Sequence, residues 1–337
     1  MTEPPSSQLT ILGAGSWGTA LALVLAPRFD RVQLWARRPE QAKRLQAERQ
    51  NHLYLPGFRF PDHVWVGTDL AEALAGAGIV LLAVPSTHIR ELAFQMLPHS
   101  RPETLFVSAT KGLEMGTFLR MSQVIGEVLS MRFAAKVAVL SGPTFAREVA
   151  AGEPAAIVVA SETPAVAAHV QRAFSGRSLR AYTSQDVTGV EVGAALKNVI
   201  AIGAGICEGL GLGSNSRAAL VTRGLAEITR LAVALGGEAR TLAGLAGLGD
   251  LVLTTTGDLS RNRTLGLRLG RGESLETILS STLMVAEGVT TCRAARDLGE
   301  KCGVKLPITE EMYRILYEGK DVRHALLALM ERPLTRE

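Results

Sequence analysis

The sequence predicts two domains. An α/β unit on a doubly wound, mostly parallel sheet spans residues 1–188, and an all-α unit spans residues 189–337. Three observations predict this. Short β-rich apolar runs alternate with helix-length segments through the first half. A glycine-rich turn follows the first of those runs. After about Thr188 the strand-like runs stop and nearly everything reads as helix. A chain of 337 residues exceeds the usual size of one domain, and 47% hydrophobic with 20% charged residues is a globular composition with ample core material.

Leu9–Leu12 reads as the first strand, Ser16–Ala26 as a helix, Val32–Trp35 as the second strand, and Pro39–Arg49 as a surface-facing helix. Ile79–Val84 is continuously apolar and stops at Pro85, as suits a central parallel strand buried on both faces. Leu105–Ser108, Val137–Ser141 and Ile157–Ala160 repeat the pattern, which implies βαβ units. Helices are then predicted over Val190–Glu208, Arg217–Leu235, Asn262–Leu269, Thr290–Cys302, Thr309–Tyr317 and Val322–Met330, with Leu242–Gly249 as a turn region.

The turn after the first run is Gly13-Ala14-Gly15-Ser16-Trp17-Gly18, a GxGxxG between a strand and a helix. In that setting the pattern is a dinucleotide fingerprint, and the first unit is Rossmann-type. Gly13 permits the tight turn, Gly15 lets a pyrophosphate approach the backbone, and Gly18 lets helix and strand pack closely. The following helix N-terminus offers free N–H groups to phosphate. The second strand ends in Trp35-Ala36-Arg37-Arg38, with no acid to bind ribose hydroxyls. Two guanidiniums suit a 2′-phosphate, so NAD or NADP is the expected cofactor and NADP the preferred one. The alternative is that the arginines are solvated loop charges.

Other classes are disfavoured. A net charge of +4 is scattered and aromatics are 5%, which does not make a nucleic-acid surface. Cys207, Cys292 and Cys302 form no CxxC, and the six histidines form no metal-like cluster, so neither a disulfide scaffold nor a metal site is expected. Met1–Ser7 lacks the basic and apolar regions of a signal peptide. The longest nearly apolar run, Val192–Cys207, is broken by Lys197 and Asn198 and falls short of a membrane span of roughly 20 residues. A cytoplasmic protein without membrane insertion is expected.

The chemistry concentrates at a few positions. Lys197 is unexpected in so apolar a helix, and desolvation with nearby cations would bring its pKa towards a useful range. Its helical face carries Gly193, Ala194, Ala201 and Ala204, small enough to leave room for a ligand. A snorkelling or ion-paired core lysine explains the spacing equally well. Asp250, after Gly247-Leu248-Gly249, reads as a turn or cap residue, or as a partner for Lys197 or a substrate hydroxyl. Ser260 reads as an N-cap, so that Arg261 and Asn262 present donors at a helix N-terminus. Lys111, just past a strand end, can hold an anion; Ser141–Ala146 is another strand-end turn, suited to cofactor contact. Either segment reads equally as a connecting loop.

These residues together resemble the bacterial NAD(P)-dependent glycerol-3-phosphate dehydrogenases, roughly from Leu9 to Leu329. The resemblance is carried in order by Gly13–Ala22, Tyr54-Leu55-Pro56-Gly57, Ala109–Glu114, Ser141–Ala146, Leu196–Ala201, Gly247–Leu251, Ser260–Arg263 and Ala286-Glu287-Gly288-Val289. It implies reversible reduction of dihydroxyacetone phosphate to sn-glycerol 3-phosphate, for glycerophospholipid synthesis. It implies that Lys197 is the general acid/base, with Asp250 and Asn198 orienting it. Lys111, Asn198, Asp250, Thr254, Arg261 and Asn262 would surround the substrate, the last two on its phosphate, with Gly142, Thr144 and Ser260 beside it. Gly13, Gly15, Ser16, Trp17, Gly18, Arg37, Arg38, Lys111, Ala146, Arg261 and Glu287 would lie at the cofactor.

Two departures stand out: Ala194 occupies a position usually Gly, and Arg37-Arg38 replaces a more varied segment. The competing readings are another two-domain hydroxyacid-type dehydrogenase and a non-catalytic NADP sensor. A helical second domain with apolar faces suits a homodimer.

Overall fold

The computed structural model describes residues 8–281 and 287–334. Met1–Ser7 and Ala286 lie outside the described residues. The chain opens with β1 (Gln8–Leu12), α1 (Ser16–Leu25), β2 (Arg31–Trp35) and α2 (Pro39–Glu48). A small antiparallel ribbon of β3 (Gln50–Asn51) and β4 (Leu55–Arg59) precedes β5 (Val64–Gly67) and α3 (Leu70–Leu74). Next come β6 (Ile79–Leu82), α4 (Ile89–Met96), β7 (Leu105–Ser108), α5 (Met121–Leu129) and β8 (Lys136–Ser141). The α/β part ends with α6 (Ala146–Ala150), β9 (Ala155–Ala160), α7 (Pro164–Phe174) and β10 (Leu179–Ser184).

Eight strands form one sheet in the order β10-β9-β8-β7-β6-β1-β2-β5. All neighbours are parallel except β8 and β9. The run at Ile157–Ala160 therefore departs from the βαβ pattern. The helix before it, α6, has only five residues and rises about 7.5 Å, too little to carry the chain back along a strand of about 20 Å. The ribbon β3–β4, the edge strand β5 and the edge strand β10 were not expected. All are short or half-exposed, so they lack the continuous apolar signal of the central strands.

The fully buried β6 and β7 carry that signal. Leu9, Ile11 and Leu81 pack on one face of the sheet, and Leu12, Val80, Leu82 and Phe106 on the other. Because β1 pairs β2 on one side and β6 on the other, the crossovers diverge at β1, and a crevice opens at the carboxyl ends of these strands.

The helical part comprises α8 (Val187–Gly209), α9 (Ser214–Ala234), α10 (Ala239–Leu242), α11 (Asp250–Thr256), α12 (Arg261–Gly270), α13 (Leu275–Ser280), α14 (Glu287–Lys301), α15 (Pro307–Glu318) and α16 (Val322–Met330). At 23 residues, α8 is longer than the apolar run in the sequence and is long and apolar enough to cross a membrane, yet its apolar window is wholly buried within the fold. It extends further because Asp186 caps its start, accepting the Gly189 N–H at 2.7 Å. It is buried on nearly every side because α9, α11, α12, α14 and α15 all pack on it.

Two features of this packing set the site. Backbones of α8 and α12 touch: a Cβ at Gly266 would lie 1.9 Å from the Ile202 carbonyl oxygen. That contact draws the start of α12 over the middle of α8. The stretch expected as a turn, Leu242–Gly249, is instead the end of α10 and a π-helical turn over Leu245–Gly249 running into α11. Single π-turns of this kind recur at functional sites. Gly193 serves this turn rather than a ligand, since a Cβ there would meet the Ala246 carbonyl oxygen at 2.8 Å.

Candidate active site

A cleft of about 670 Å³ runs from the carboxyl ends of β1, β2, β6 and β7 to the walls formed by α8, α11 and α12. At its first end lies the glycine turn. Gly13 takes φ +119°, and a Cβ there would lie 2.5 Å from the Ala83 carbonyl oxygen. Around Gly15 nothing lies within 4 Å of a Cβ position, so that backbone faces open space. Among the described residues no side chain caps the start of α1, so its first N–H groups are open to an anion. Gly13, Gly15, Ser16 and Trp17 line the cleft. Gly18 does not: it packs on the turn itself, its Cβ position 1.8 Å from the Gly13 carbonyl oxygen.

Arg37 and Arg38 are exposed at the rim of the same end and line it. Arg38 donates to the Tyr54 hydroxyl at 2.8 Å, while the Ser16 hydroxyl donates to the Tyr54 carbonyl at 2.7 Å. Tyr54 thus ties the rim to the glycine turn. Tyr54 lies in a segment that carries the family resemblance, but nothing local in the sequence marks this tie. An open backbone cradle, an uncapped helix start and two guanidiniums fit a pyrophosphate and a further phosphate.

At the other end, α8 presents Lys197 and Asn198, both buried yet lining the cleft. Asp250, the first residue of α11, is 0% exposed and does not line the cleft. Its Oδ1 accepts from Lys197 Nζ at 2.6 Å and its Oδ2 from Lys111 Nζ at 2.8 Å. Lys111 arrives from the loop after β7, so one carboxylate joins lysines from the α/β and helical parts. The Thr254 hydroxyl accepts from Lys197 at 2.6 Å and donates to the Asp250 carbonyl at 2.6 Å.

Burial pushes the Lys197 ammonium down to about 7; the Asp250 carboxylate opposes the shift and Lys111 adds to it. For Asp250 burial pushes upwards, but the two lysines outweigh it and the carboxyl sits below its ordinary value. An ammonium held near neutrality in a cleft is equipped to give and take a proton at physiological pH.

Beside the lysines lies the start of α12. Ser260 caps it, accepting the Arg263 N–H at 3.3 Å, and Ser260, Arg261 and Asn262 line the cleft. The Asn262 Oδ1 accepts the Gly288 N–H at 3.0 Å, which leaves its Nδ2 as the free donor. Glu287, at the start of α14, also faces the cleft; burial raises its carboxyl, against the pull of Arg261, Lys111 and Lys197.

The structure thus brings Lys111, Lys197, Asn198, Thr254, Ser260, Arg261, Asn262 and Glu287 around one space, with Thr144 and Ala146 on its wall. Gly142 is not among them: at φ +139° it lets β8 pass the β9 backbone, a Cβ there lying 2.8 Å from the Ala156 carbonyl oxygen. Asp250 reaches the cleft only through the lysines that cover it.

Comparison with known proteins reads the same two-part plan. The family description "NAD-dependent glycerol-3-phosphate dehydrogenase N-terminus" matches residues 8–167, and its C-terminus counterpart matches residues 186–327. The chain belongs to the NAD-dependent glycerol-3-phosphate dehydrogenase family. The "Glycerol-3-phosphate dehydrogenase [NAD(P)+]" of Koribacter versatilis is 55% identical over 333 residues, covering 98% of this chain and 99% of that protein. Its counterpart in Citrifermentans bemidjiense is 49% identical over 332 residues, covering 98% and 99%. Among solved structures, a glycerol-3-phosphate dehydrogenase from Coxiella burnetii superposes with a TM-score of 0.93 at 40% identity, over 98% of this chain and 100% of that one. A ketopantoate reductase from Ralstonia eutropha shares the fold alone, with a TM-score of 0.60 at 20% identity. Members of the glycerol-3-phosphate dehydrogenase family are NAD(P)-dependent oxidoreductases, and this chain is one.

Proposed function

We propose that the enzyme interconverts dihydroxyacetone phosphate and sn-glycerol 3-phosphate, in the service of glycerophospholipid synthesis, with NADP preferred over NAD. The observation that carries the reading is the pair of lysines on the buried Asp250, set beside Arg261 and Asn262 at the start of α12. The nicotinamide cofactor, when bound, supplies or takes up the hydride. Arg261, Asn262 and the first N–H groups of α12 hold the phosphate. Anchoring there, away from the carbonyl, orients the ketone for reaction. Lys197 gives its proton to the ketone oxygen in reduction and takes it back from the alcohol in oxidation. Asp250 and Thr254 fix the ammonium's direction, and Lys111 adds a second cation to the dianion's surroundings. Arg37 and Arg38 take the 2′-phosphate.

The test is oxidation of NADPH and NADH with dihydroxyacetone phosphate, against unphosphorylated dihydroxyacetone. Rapid oxidation with the phosphorylated ketone alone is expected. Equal rates with both ketones would remove the phosphate role, and none with either would overturn the proposed reaction. The reading extends to a cytoplasmic homodimer whose domains divide near residue 188, just inside α8. A light-scattering mass of one chain would overturn the homodimer.

A further inference from the structure

We infer that Glu191 is a positioning residue for this reaction: it clamps the hairpin that follows Lys111 onto α8, and so holds Lys111 in register with Lys197. For its kinetic consequence the inference rests on the function proposed above. The two lysines lie 86 positions apart in the sequence (197 − 111), yet meet on one carboxylate. Something must fix the Lys111 loop against the helical part.

Between Lys111 and α5 the chain folds into a tight hairpin. Leu113 and Arg120 pair as an antiparallel bridge, and the Glu114 N–H donates to the Leu119 carbonyl at 2.9 Å. This hairpin leaves its own domain. Leu113 is buried in the helical core with Val192, Ala195 and Leu196, and Phe118 packs against the same cluster. On its outer side, Arg90 holds Glu114 through bonds of 2.7 and 2.9 Å.

The hairpin's returning arm, at Arg120 opposite Leu113, meets Glu191. This carboxylate is buried and takes no part in the cleft lining. It accepts from Arg120 Nη1 at 2.7 Å, from the Ser122 N–H at 2.8 Å and from the Ser122 hydroxyl at 2.5 Å. Three donors from one short stretch of the α/β part converge on one side chain of α8. The six residues from Glu191 to Lys197 span about 9 Å of helix rise. A single rigid helix therefore carries both the clamp and the acid/base lysine. Loosening the clamp frees the hairpin, and the hairpin begins at Lys111. The charged groups around Lys197 are Asp250, Lys111 and, across the cleft, Glu287 and Arg261. Of these only Lys111 is borne by the clamped loop, and it lowers the Lys197 pKa.

The experiment compares Glu191→Ala, Glu191→Gln and Arg120→Ala with the full-length wild type, each checked for cooperative thermal unfolding. In Glu191→Ala, kcat with dihydroxyacetone phosphate should fall about tenfold or more, as sub-ångström misplacement near reacting groups commonly does. The NADPH dissociation constant, read by fluorescence, should stay within about twofold. The alkaline limb of the reduction profile should move to higher pH, because Lys111 has withdrawn. Glu191→Gln keeps its Ser122 contacts and should recover most of the rate.

A second readout needs no turnover. Amine labelling of Lys111, followed by mass spectrometry, should speed several-fold in Glu191→Ala and change little in Glu191→Gln. If Glu191→Ala does not fold, Arg120→Ala carries the same expectation at smaller size. Unchanged Lys111 labelling in folded Glu191→Ala, or in Arg120→Ala where Glu191→Ala does not fold, overturns the clamp. Faster labelling with kcat unchanged, or a rate lost in step with NADPH affinity, overturns its role in the reaction. Should the wild type not reduce dihydroxyacetone phosphate, the proposed function fails and the labelling alone decides the clamp.

Discussion

Replacing Asp250 with Asn keeps the shape of the lysine bridge and removes its charge. In the folded enzyme the carboxylate lies 2.6 Å from Lys197 Nζ and is fully buried, so it is the main influence holding the ammonium protonated against burial. A charge pair about 4 Å apart is worth about 4 kcal/mol at an effective dielectric constant of about 20. At about 1.4 kcal/mol per pH unit, its loss corresponds to about three units. The sign is downward: without the carboxylate, burial and Lys111 both favour the neutral amine. Lys197, now near 7, would fall well below it, and only a small part of it would stay protonated at pH 7. A stronger acid transfers its proton faster, which regains part of the loss. The net expectation is a fall in kcat for ketone reduction of about ten- to a hundredfold at pH 7. The assay is the pH profile of kcat for dihydroxyacetone phosphate reduction at saturating NADPH, between pH 5 and 9. The alkaline limb of the variant should move to lower pH by about two units or more. A limb that stays in place, or moves up, refutes the reasoning that Asp250 sets the charge of Lys197.

Lys197→Ala should lower turnover by about a hundredfold or more while NADPH binding changes little, since proton transfer by a placed group contributes about 10²–10⁴-fold. Near-normal turnover would take Lys197 out of the mechanism. Neutralising Arg37 and Arg38 together should raise KM for NADPH by about tenfold or more and leave NADH nearly unchanged, as expected for lost charge-assisted bonds. An equal loss for both cofactors would mean that the arginines are only solvated charges. Gly13→Ala places a methyl 2.5 Å from the Ala83 carbonyl oxygen at φ +119°, so cofactor titration should show binding lost. Binding within about twofold of wild type would show that the turn tolerates the change.

The sequence by itself determined what repeats locally. The strand–turn–helix glycine pattern, the continuous apolar runs of β6 and β7, and the switch to helix beyond Thr188 are short-range signals, and each formed the predicted element. Most of the residues that the resemblance assigned to the site line the cleft. What it did not determine depends on contacts between distant segments. β5 and β10 sit at sheet edges, where half-exposed residues dilute the pattern. The reversal of β9 follows from the brevity of α6. Gly193 read as ligand-facing from helical spacing and Gly142 from the resemblance, but each answers a close backbone approach from another element. Asp250 read equally well as a turn cap. Only the tertiary structure buries it between Lys111 and Lys197 and makes it the charge that both lysines share. Glu191 carried no local signal at all. Its three donors come from residues 120 and 122, about 70 positions away in the chain, and such a convergence exists only once the chain has folded.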